Sequence, residues 1–174
     1  MKRNGERQVV FREVQKFRQR WLWIILLSTA LIFVILFGYG MIKQLALGHA
    51  WGDRPMSNTA LAIVGMVVII FVVGLTYLFY TLKLITEVQD DELCVQFFPL
   101  SRQVISLDSI KRCEVRTYNP IKEYGGWGIK YGKRGKAYNV SGNRGVQIEF
   151  HAGKPLLIGS QKPEELERAI NMRI

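Results

Sequence analysis

The stretch of this sequence whose residue types most suggest chemistry is GGWGIKYGKRGKAYNVSGNRG, from Gly125 to Gly145. It holds seven glycines, three aromatic residues and five Lys or Arg, with no acidic residue. Such a run could cradle phosphate, but nucleotide-binding loops need their glycines at fixed offsets before a helix. Ala137 follows Gly-Lys where a Walker loop has Ser or Thr, and Tyr131 stands where a dinucleotide fingerprint has its third glycine. The spacing therefore excludes both motifs.

The same stretch fits a β-hairpin whose strands are Gly128 to Tyr131 and Lys136 to Val140. Alternation along such strands predicts basic side chains on one face and aromatic side chains on the other. The basic face would meet lipid headgroups or an acidic protein surface, while the aromatic residues, Tyr138 among them, could instead belong to the core. The predicted interaction surface comprises Lys130, Lys133, Arg134, Lys136 and Arg144, with Trp127 and Tyr131.

Other residues capable of chemistry form no catalytic or ligand-binding pattern. Cys94, Cys113 and two distant histidines do not have the spacing of a zinc site, and His151 has no Ser or Cys partner at a readable spacing. His49 and Asp53 share one connection, where a single histidine is more often a polar surface residue than a ligand. We therefore expect no enzyme, no catalytic residue, no cofactor and no metal.

Two long apolar runs dominate the rest of the chain. Trp21 to Gly40 has no charge in 20 residues, and Thr59 to Leu82 has none in 24. At about 1.5 Å per residue each run would cover roughly 30 Å as a helix, which is the thickness of the hydrocarbon core of a bilayer. Residues 21–84 therefore read as a transmembrane helical hairpin with spans at about 21–42 and 59–82. Two buried core helices are the alternative, but the remaining chain is too short to enclose them.

Charge predicts the orientation of these spans. The segment before Trp21 is strongly basic, whereas Arg54 is balanced by Asp53 in the connection. Because Lys and Arg accumulate on the cytoplasmic side, both termini should be cytoplasmic in a multi-pass protein of the inner membrane. The net charge of +10 then reflects headgroup attraction, and no nucleic acid partner is expected. The residues predicted at the membrane interface are Arg12, Lys16, Arg20, Trp21, Trp23, Trp51, Tyr80 and Lys83.

Residues 1–20 form the basic segment that precedes the first span. Val10, Val14, Phe17 and Trp21 recur at helical spacing, which predicts an amphipathic helix. This helix could lie in the headgroup layer or pack on a partner or on the C-terminal domain. A disordered basic tail that only sets the topology is the alternative.

After Leu84 the apolar period changes from helical to two, which is typical of half-solvated antiparallel strands joined by hairpins. Pro163 and the two glutamates after it then predict a closing helix. Residues 85–174 are therefore predicted to form a cytoplasmic β domain. Its expected core is Val95, Phe97, Val115, Ile148, Phe150, Ile158, Leu166 and Ile170.

The segments ITEVQDDELCVQFFPLSRQVISLDSIKRCEVRTY, GVQIEF, KPLLIGS and PEELERAI give this domain a recognisable pattern. It resembles the pleckstrin-homology-like (PH-like) domains of bacterial membrane proteins, which often follow paired transmembrane helices. The resemblance implies a membrane-anchored α+β protein with a small antiparallel β-barrel or curved sheet capped by a C-terminal helix. It carries no catalytic motif, and it relates to an architecture rather than to a function.

Two functions fit these features. The first is a non-enzymatic accessory, assembly or scaffold subunit whose cytoplasmic domain docks on a larger membrane complex. The alternative is a membrane module that senses anionic lipid through its basic hairpin and tail. The expected partners are accordingly membrane lipid and a protein of the complex.

Overall fold

A computed structural model, which describes residues 9–132 and 134–174, gives the protein an α+β architecture. The strands are β1 (Phe11–Lys16), β2 (Lys83–Val88), β3 (Glu92–Phe98), β4 (Ser101–Ser106), β5 (Ile110–Thr117), β6 (Gly128–Gly132), β7 (Gly135–Asn139), β8 (Arg144–Phe150) and β9 (Leu156–Gly159). The α-helices are α1 (Arg20–Met41), α2 (Asn58–Thr81), α3 (Pro120–Tyr124) and α4 (Pro163–Asn171). A π-helical turn, Ile42–Ala46, continues α1.

The chain divides into two units. Arg18–Thr81 forms a helical unit, and the segment that ends at Phe17 joins Leu82–Ile174 in a β unit. The boundary predicted at residue 20 therefore treats the first segment as separate, whereas in the fold this segment belongs to the β unit. The strand before the helices belongs with the domain that follows them.

The helical unit consists of two helices that are long and apolar enough to cross a membrane. Their positions agree with the two predicted spans. In their most apolar windows 0% of the first helix and 17% of the second is buried. Helices in the core of a soluble domain are mostly buried, and these two helices are not.

The connection between α1 and α2 is held by the side chain of Gln44. Its Nε2 donates to the backbone oxygen of Met56 at 2.7 Å and to Oδ1 of Asn58 at 2.9 Å, while its Oε1 accepts from the backbone N–H of Trp51 at 3.3 Å. The Trp51 ring lies over Gly40, where an added Cβ would come within 2.6 Å of ring atoms. Trp51 therefore packs against α1 and closes the connection.

The segment predicted as an amphipathic helix, within residues 1–20, contains strand β1 instead, and that prediction is wrong for the described residues. β1 pairs antiparallel with β2 along its whole length. Phe11, Glu13 and Gln15 face inward and are buried, whereas Val14 on the other face is exposed. The segment is a strand because pairing with β2 satisfies the backbone of β1, while its inward Glu13 and Gln15 find partners on residues 159–161.

The β unit contains two sheets. The first has the order β1-β2-β3-β4 and is antiparallel throughout, and the second has the order β5-β8-β9-β7-β6. In the second sheet β7 and β9 run parallel. The described strands therefore do not close into the expected antiparallel barrel, because β9 enters between β7 and β8 and leaves β5 and β6 as edges.

Helix α4 confirms the predicted C-terminal helix and covers the free edge of β5. Glu167 Oε1 accepts from the backbone N–H of Val115 at 3.2 Å, and Asn171 Nδ2 donates to the backbone oxygen of Cys113 at 3.3 Å. Its Leu166 and Ile170 are fully buried. An unpaired strand edge is a template for aggregation, and here a helix supplies the missing hydrogen bonds.

Most of the predicted core is correct. The buried members are Val95, Phe97, Ile148, Ile158, Leu166 and Ile170. Val115 and Phe150 are half-buried instead. Val115 lies on the edge strand β5 and Phe150 ends β8, so fewer neighbours enclose them.

Candidate interaction surface

The glycine-rich stretch forms the predicted hairpin, with β6 and β7 paired from Gly128↔Asn139 to Gly132↔Gly135. Two glycines permit close approach of other backbone. A Cβ at Gly132 would lie 2.3 Å from the backbone oxygen of Glu123, and one at Gly135, where φ is +94°, would lie 1.9 Å from that of Pro155. These glycines therefore pack the hairpin onto its neighbours, since no other residue fits.

The hairpin places aromatic and basic side chains on the same face. Cross-strand partners share a face, and the register pairs Tyr131 with Lys136 and Ile129 with Tyr138. The expectation that the two residue classes occupy opposite faces is therefore wrong for Lys136. The register of the turn puts this lysine beside both tyrosines.

The ammonium group of Lys136 is fixed by its surroundings. Its Nζ lies 4.5 Å from the ring centroid of Tyr138 and 5.7 Å from that of Tyr131, and it donates to the Tyr138 hydroxyl and to Oε1 of Gln103. Burial lowers the pKa of Lys136, but the hydrogen bond to Tyr138 and the two phenols outweigh it and raise the pKa overall. The group is thus a positioned cation at neutral pH.

The two tyrosines of this face have opposite environments. Tyr138 is fully buried, and its hydroxyl lies 3.2 Å from Gln103 Oε1 and 3.3 Å from Ser101 Oγ on β4. Tyr131 is 76% exposed. Of the aromatic residues that could belong to the core, Tyr138 therefore does, whereas Tyr131 presents its ring to the surroundings.

The remaining basic residues of the hairpin are spread around it. Lys130 points to the face opposite Lys136 and is half-buried, and Arg134 is exposed at the turn. Lys133 lies outside the described residues. The field of Arg134 also reaches Glu123, whose pKa is lowered by the hydrogen bond from the backbone N–H of Asn119 and by Arg116, with Arg134 a smaller cause.

Arg144 and Trp127 occupy separate positions. The guanidinium of Arg144 pairs with Glu164 in the first turn of α4, and this hydrogen bond lowers the pKa of Glu164. Strand β9 separates Arg144 on β8 from β7. Trp127 is half-buried and donates from Nε1 to the backbone oxygen of Gly142 at 3.1 Å. The structure thus brings Tyr131 and Lys136 together but places Arg144 elsewhere.

The aromatic residues predicted at a membrane interface differ in their packing. Trp23 and Tyr80 meet edge to face across the helix pair, with ring centroids 6.4 Å apart, and Trp21 is largely exposed near them in the chain. Arg20 is exposed and begins α1. Trp51 instead packs on Gly40 and Phe37, so its role is to hold the connection.

Apart from Arg20, the basic residues predicted at the interface occupy the outward face of the first sheet. Arg12 on β1 pairs with Glu87 on β2, with 2.9 Å between Nε and Oε1. Lys16 and Lys83 stand directly opposite each other in the register. In the chain, Arg12 and Lys16 precede the helical unit and Lys83 follows it. Pairing of β1 with β2 joins them in one surface.

One polar network was not foreseen in the sequence. Glu13 is only 8% exposed, and its carboxylate accepts from Ser160 Oγ at 2.6 Å and from the backbone N–H of Gln161 at 2.8 Å. Gln15 Nε2 donates to the backbone oxygen of Gly159 at 2.7 Å. The only signal was the alternation of Phe11, Glu13, Gln15 and Phe17, which puts polar residues on the same side as aromatic ones.

The two cysteines are buried and free. Burial, followed by the charges of Glu167 and Glu114, raises the pKa of Cys113 to about 12. A thiol that stays protonated is a poor nucleophile and a poor metal ligand. No group of His, Cys, Asp and Glu side chains within 9–132 and 134–174 is arranged to hold a metal ion.

Comparison with known proteins gives one match. Neither the curated proteins nor the solved structures match this chain, so the resemblance to PH-like domains stays a prediction. A comparison with protein families matches residues 1–174 to one family. The chain therefore belongs to DUF6141, a family of unknown function.

Proposed function

We propose that this protein is a membrane-anchored, non-enzymatic accessory, assembly or scaffold subunit whose β unit docks on a larger membrane complex. The observation that carries the proposal is the exposed Tyr131 ring beside the fixed ammonium of Lys136. Tyrosine is enriched at protein interfaces and their hot spots, and a positioned cation beside it can meet an acidic group of a partner. An acidic or carbonyl-rich partner surface would complement them.

The hairpin is pre-organised for such an interface. Lys136 is held by Tyr138 and Gln103 rather than free to rotate, so docking costs little side-chain entropy. Together Tyr131, Lys136 and the exposed Arg134 of the turn form the proposed docking surface, in which an aromatic ring lies beside basic side chains.

For the membrane anchor, we propose that α1 and α2 are two spans in the inner membrane with both termini cytoplasmic. Pairing of β1 with β2 supports this, because β1 precedes the first helix and β2 follows the second. Strands of one sheet lie on one side of a bilayer, so the chain must cross an even number of times. The basic segment before α1 favours the cytoplasm for that side.

Topology is tested with cysteines in intact cells. A cysteine at the exposed position Asp53, in the connection, should react with a membrane-impermeant thiol reagent. One at the exposed position Ser106, on β4, should react only after the membrane is permeabilised. The reverse pattern would refute the orientation, and labelling of both would refute the two spans.

Docking is tested by purifying the full chain from its native membranes in mild detergent and comparing variants on native gels. Tyr131→Ser with Arg134→Gln should lose a co-migrating partner that the parent retains. The matched control, Lys111→Gln with Arg168→Gln, changes two exposed basic residues on β5 and α4, away from the hairpin, and should retain it. Equal co-migration of all three proteins would refute this docking surface.

A membrane module that senses anionic lipid is the second candidate. It is favoured by the outward face of the first sheet, where basic residues outnumber acidic ones. Binding of anionic vesicles that weakens as salt rises would support it. A fixed protein partner would be absent in that case.

A further inference from the structure

The outward side chains of the first sheet lie in rows that cross its strands. The end row is Lys16, Lys83 and Phe98, the middle row is Val14, Ile85, Gln96 and Arg102, and the third row is Arg12, Glu87, Cys94 and Val104. Four of these residues are basic and one is acidic, and a further row at the far end of the sheet holds a second acidic residue, Glu92, opposite Ser106. The acidic residue of the three rows, Glu87, is already paired with Arg12, so the positive charge is concentrated toward the end row.

The end row combines two like charges with an aromatic ring. Lys16 and Lys83 are direct cross-strand partners, an arrangement that destabilises a sheet unless a counter-charge is present. No ion pair to either lysine is formed within the described part of the chain. Lys83 Nζ lies 5.0 Å from the ring centroid of Phe98. The row therefore presents two ammonium groups beside an aromatic ring.

The turn from β3 to β4 extends this row with apolar surface. Phe98 is 40% exposed and Leu100 is 59% exposed. The turn is ordered by a 2.8 Å hydrogen bond from the Leu100 N–H to the Phe97 backbone oxygen. Apolar side chains held next to lysines are typical of surfaces that lie at the boundary between headgroups and acyl chains.

Chain connectivity indicates what lies against the end row. The end row is the end of the sheet from which the chain departs toward α1 and to which it returns from α2, with three residues between Lys16 and Arg20 and one between Thr81 and Lys83. β3 runs antiparallel to β2, so its turn lies at that same end. If α1 and α2 cross the bilayer, this end is within a few residues of the headgroups on both connections.

We propose that the β3–β4 turn is a third membrane contact, in which Lys16 and Lys83 bind the phosphate of anionic lipid headgroups while Phe98 and Leu100 enter the boundary with the acyl chains. This rests on the proposed crossing of the membrane by α1 and α2. A second copy of the chain is a poorer occupant, because it would bring another positive row against this one. Arg102, in the adjacent row, extends the charge over neighbouring headgroups.

Depth measurements on the full chain in nanodiscs test the contact. A nitroxide spin label is attached at Leu100→Cys in the turn or, as a control, at Ser106→Cys, which is exposed at the far end of β4. The native cysteines are buried, and parent protein treated with the same spin label measures their background. We expect the label at position 100 to collide mainly with oxygen, which concentrates in lipid, and the label at position 106 mainly with a polar nickel complex.

A second experiment varies the charge of the lipid. In phosphatidylcholine nanodiscs with added phosphatidylglycerol the label at position 100 should move deeper than in phosphatidylcholine alone. Lys16→Gln with Lys83→Gln should abolish that difference. Lys111→Gln with Lys154→Gln, which also removes two positive charges, should preserve it.

Each outcome separates this inference from the proposals above. If the protein inserts into nanodiscs but position 100 favours the nickel complex, the third contact is wrong and the two spans stand. If position 100 is shielded from both reagents, protein rather than lipid covers the turn, and the inference is again wrong. If the depth of the label at position 100 does not change when phosphatidylglycerol is added, the proposed role of the lysines is wrong. Loss of a partner through Tyr131 is measured on a different surface and is unaffected by these results.

Discussion

Ser160 donates a 2.6 Å hydrogen bond from its Oγ to Oε2 of Glu13, across 147 residues of sequence. Glu13 precedes the two apolar helices and Ser160 follows the last strand, so this contact joins the two ends of the β unit. The backbone N–H of Gln161 reaches the other carboxylate oxygen at 2.8 Å. A buried carboxylate thereby has donors on both oxygens, which is the condition under which burial of a charge is tolerated.

Removing this carboxylate should loosen β1. Glu13→Ala leaves the Ser160 hydroxyl and the Gln161 N–H without their partner, and we expect a loss of about 1–3 kcal/mol in the free energy of unfolding of the β unit. Hydrogen exchange of β1 amides in the full chain should accelerate accordingly. The control Glu165→Ala removes an exposed carboxylate from α4 and should leave β1 exchange unchanged. Equal exchange in parent and Glu13→Ala would mean that the network does not hold the strand.

Two glycines of α1 provide a matched test of the connection between the helices. Gly40→Ala places a Cβ against the Trp51 ring, whereas a Cβ at Gly38 meets nothing within 4 Å. Gly40→Ala should displace Trp51, increase its quenching by iodide and destabilise the connection by about 1–3 kcal/mol. Gly38→Ala should leave the quenching as in the parent. Similar quenching in both variants would contradict the packing of Trp51 on α1.

We expect the two tyrosines of the hairpin to have different roles, with Tyr138 contributing to stability and Tyr131 to association. Tyr138→Ala removes a fully buried ring and should cost about 3–5 kcal/mol, the usual range for truncation of a large aromatic side chain. Tyr131→Ala removes an exposed ring and should change stability by no more than about 0.5 kcal/mol. Denaturant unfolding of the full chain in detergent measures both. A large loss from Tyr131→Ala would show that this ring serves folding and would weaken its assignment to docking.

The buried thiol of Cys113 should make stability depend on alkaline pH. Its pKa is raised from the ordinary value of 9.0 to about 12. Below pH 9 the thiol is protonated in both states, so this group favours neither. Between pH 9 and about 12 only the unfolded chain ionises readily, and stability should fall by up to about 1.4 kcal/mol per pH unit.

The comparison with Cys113→Ala isolates this effect. Burial also raises the pKa of Tyr118 and Tyr124, but these groups remain in both proteins. The difference in unfolding free energy between parent and variant should be constant up to pH 9 and then change in favour of the variant. A difference that stays constant to pH 11 would show that the folded protein lets the thiol ionise.

Local sequence was sufficient for the elements whose hydrogen bonds and burial are set by near neighbours. The two charge-free runs could only be apolar helices, because their length and composition admit no other element. Pro163 and its following glutamates specified α4, and glycines at the turn specified the β6–β7 hairpin. In β3 the alternation also identified the inward residues, since Val95 and Phe97 are buried and Phe98 is exposed.

Tertiary structure decided what depends on distant partners. Val10, Val14 and Phe17 satisfy a helical period, yet β2, which lies beyond both helices in the chain, offers a complete backbone ladder and makes the segment a strand. The insertion of β9 between β7 and β8 likewise arises from pairing between separate segments, which no alternation pattern encodes. The position of Lys136 beside two tyrosines follows from hairpin register, because a shift of one residue would move it to the opposite face. Residue types thus determined the charge and the elements with local support, while non-local hydrogen bonding determined β1 and which side chains share a surface.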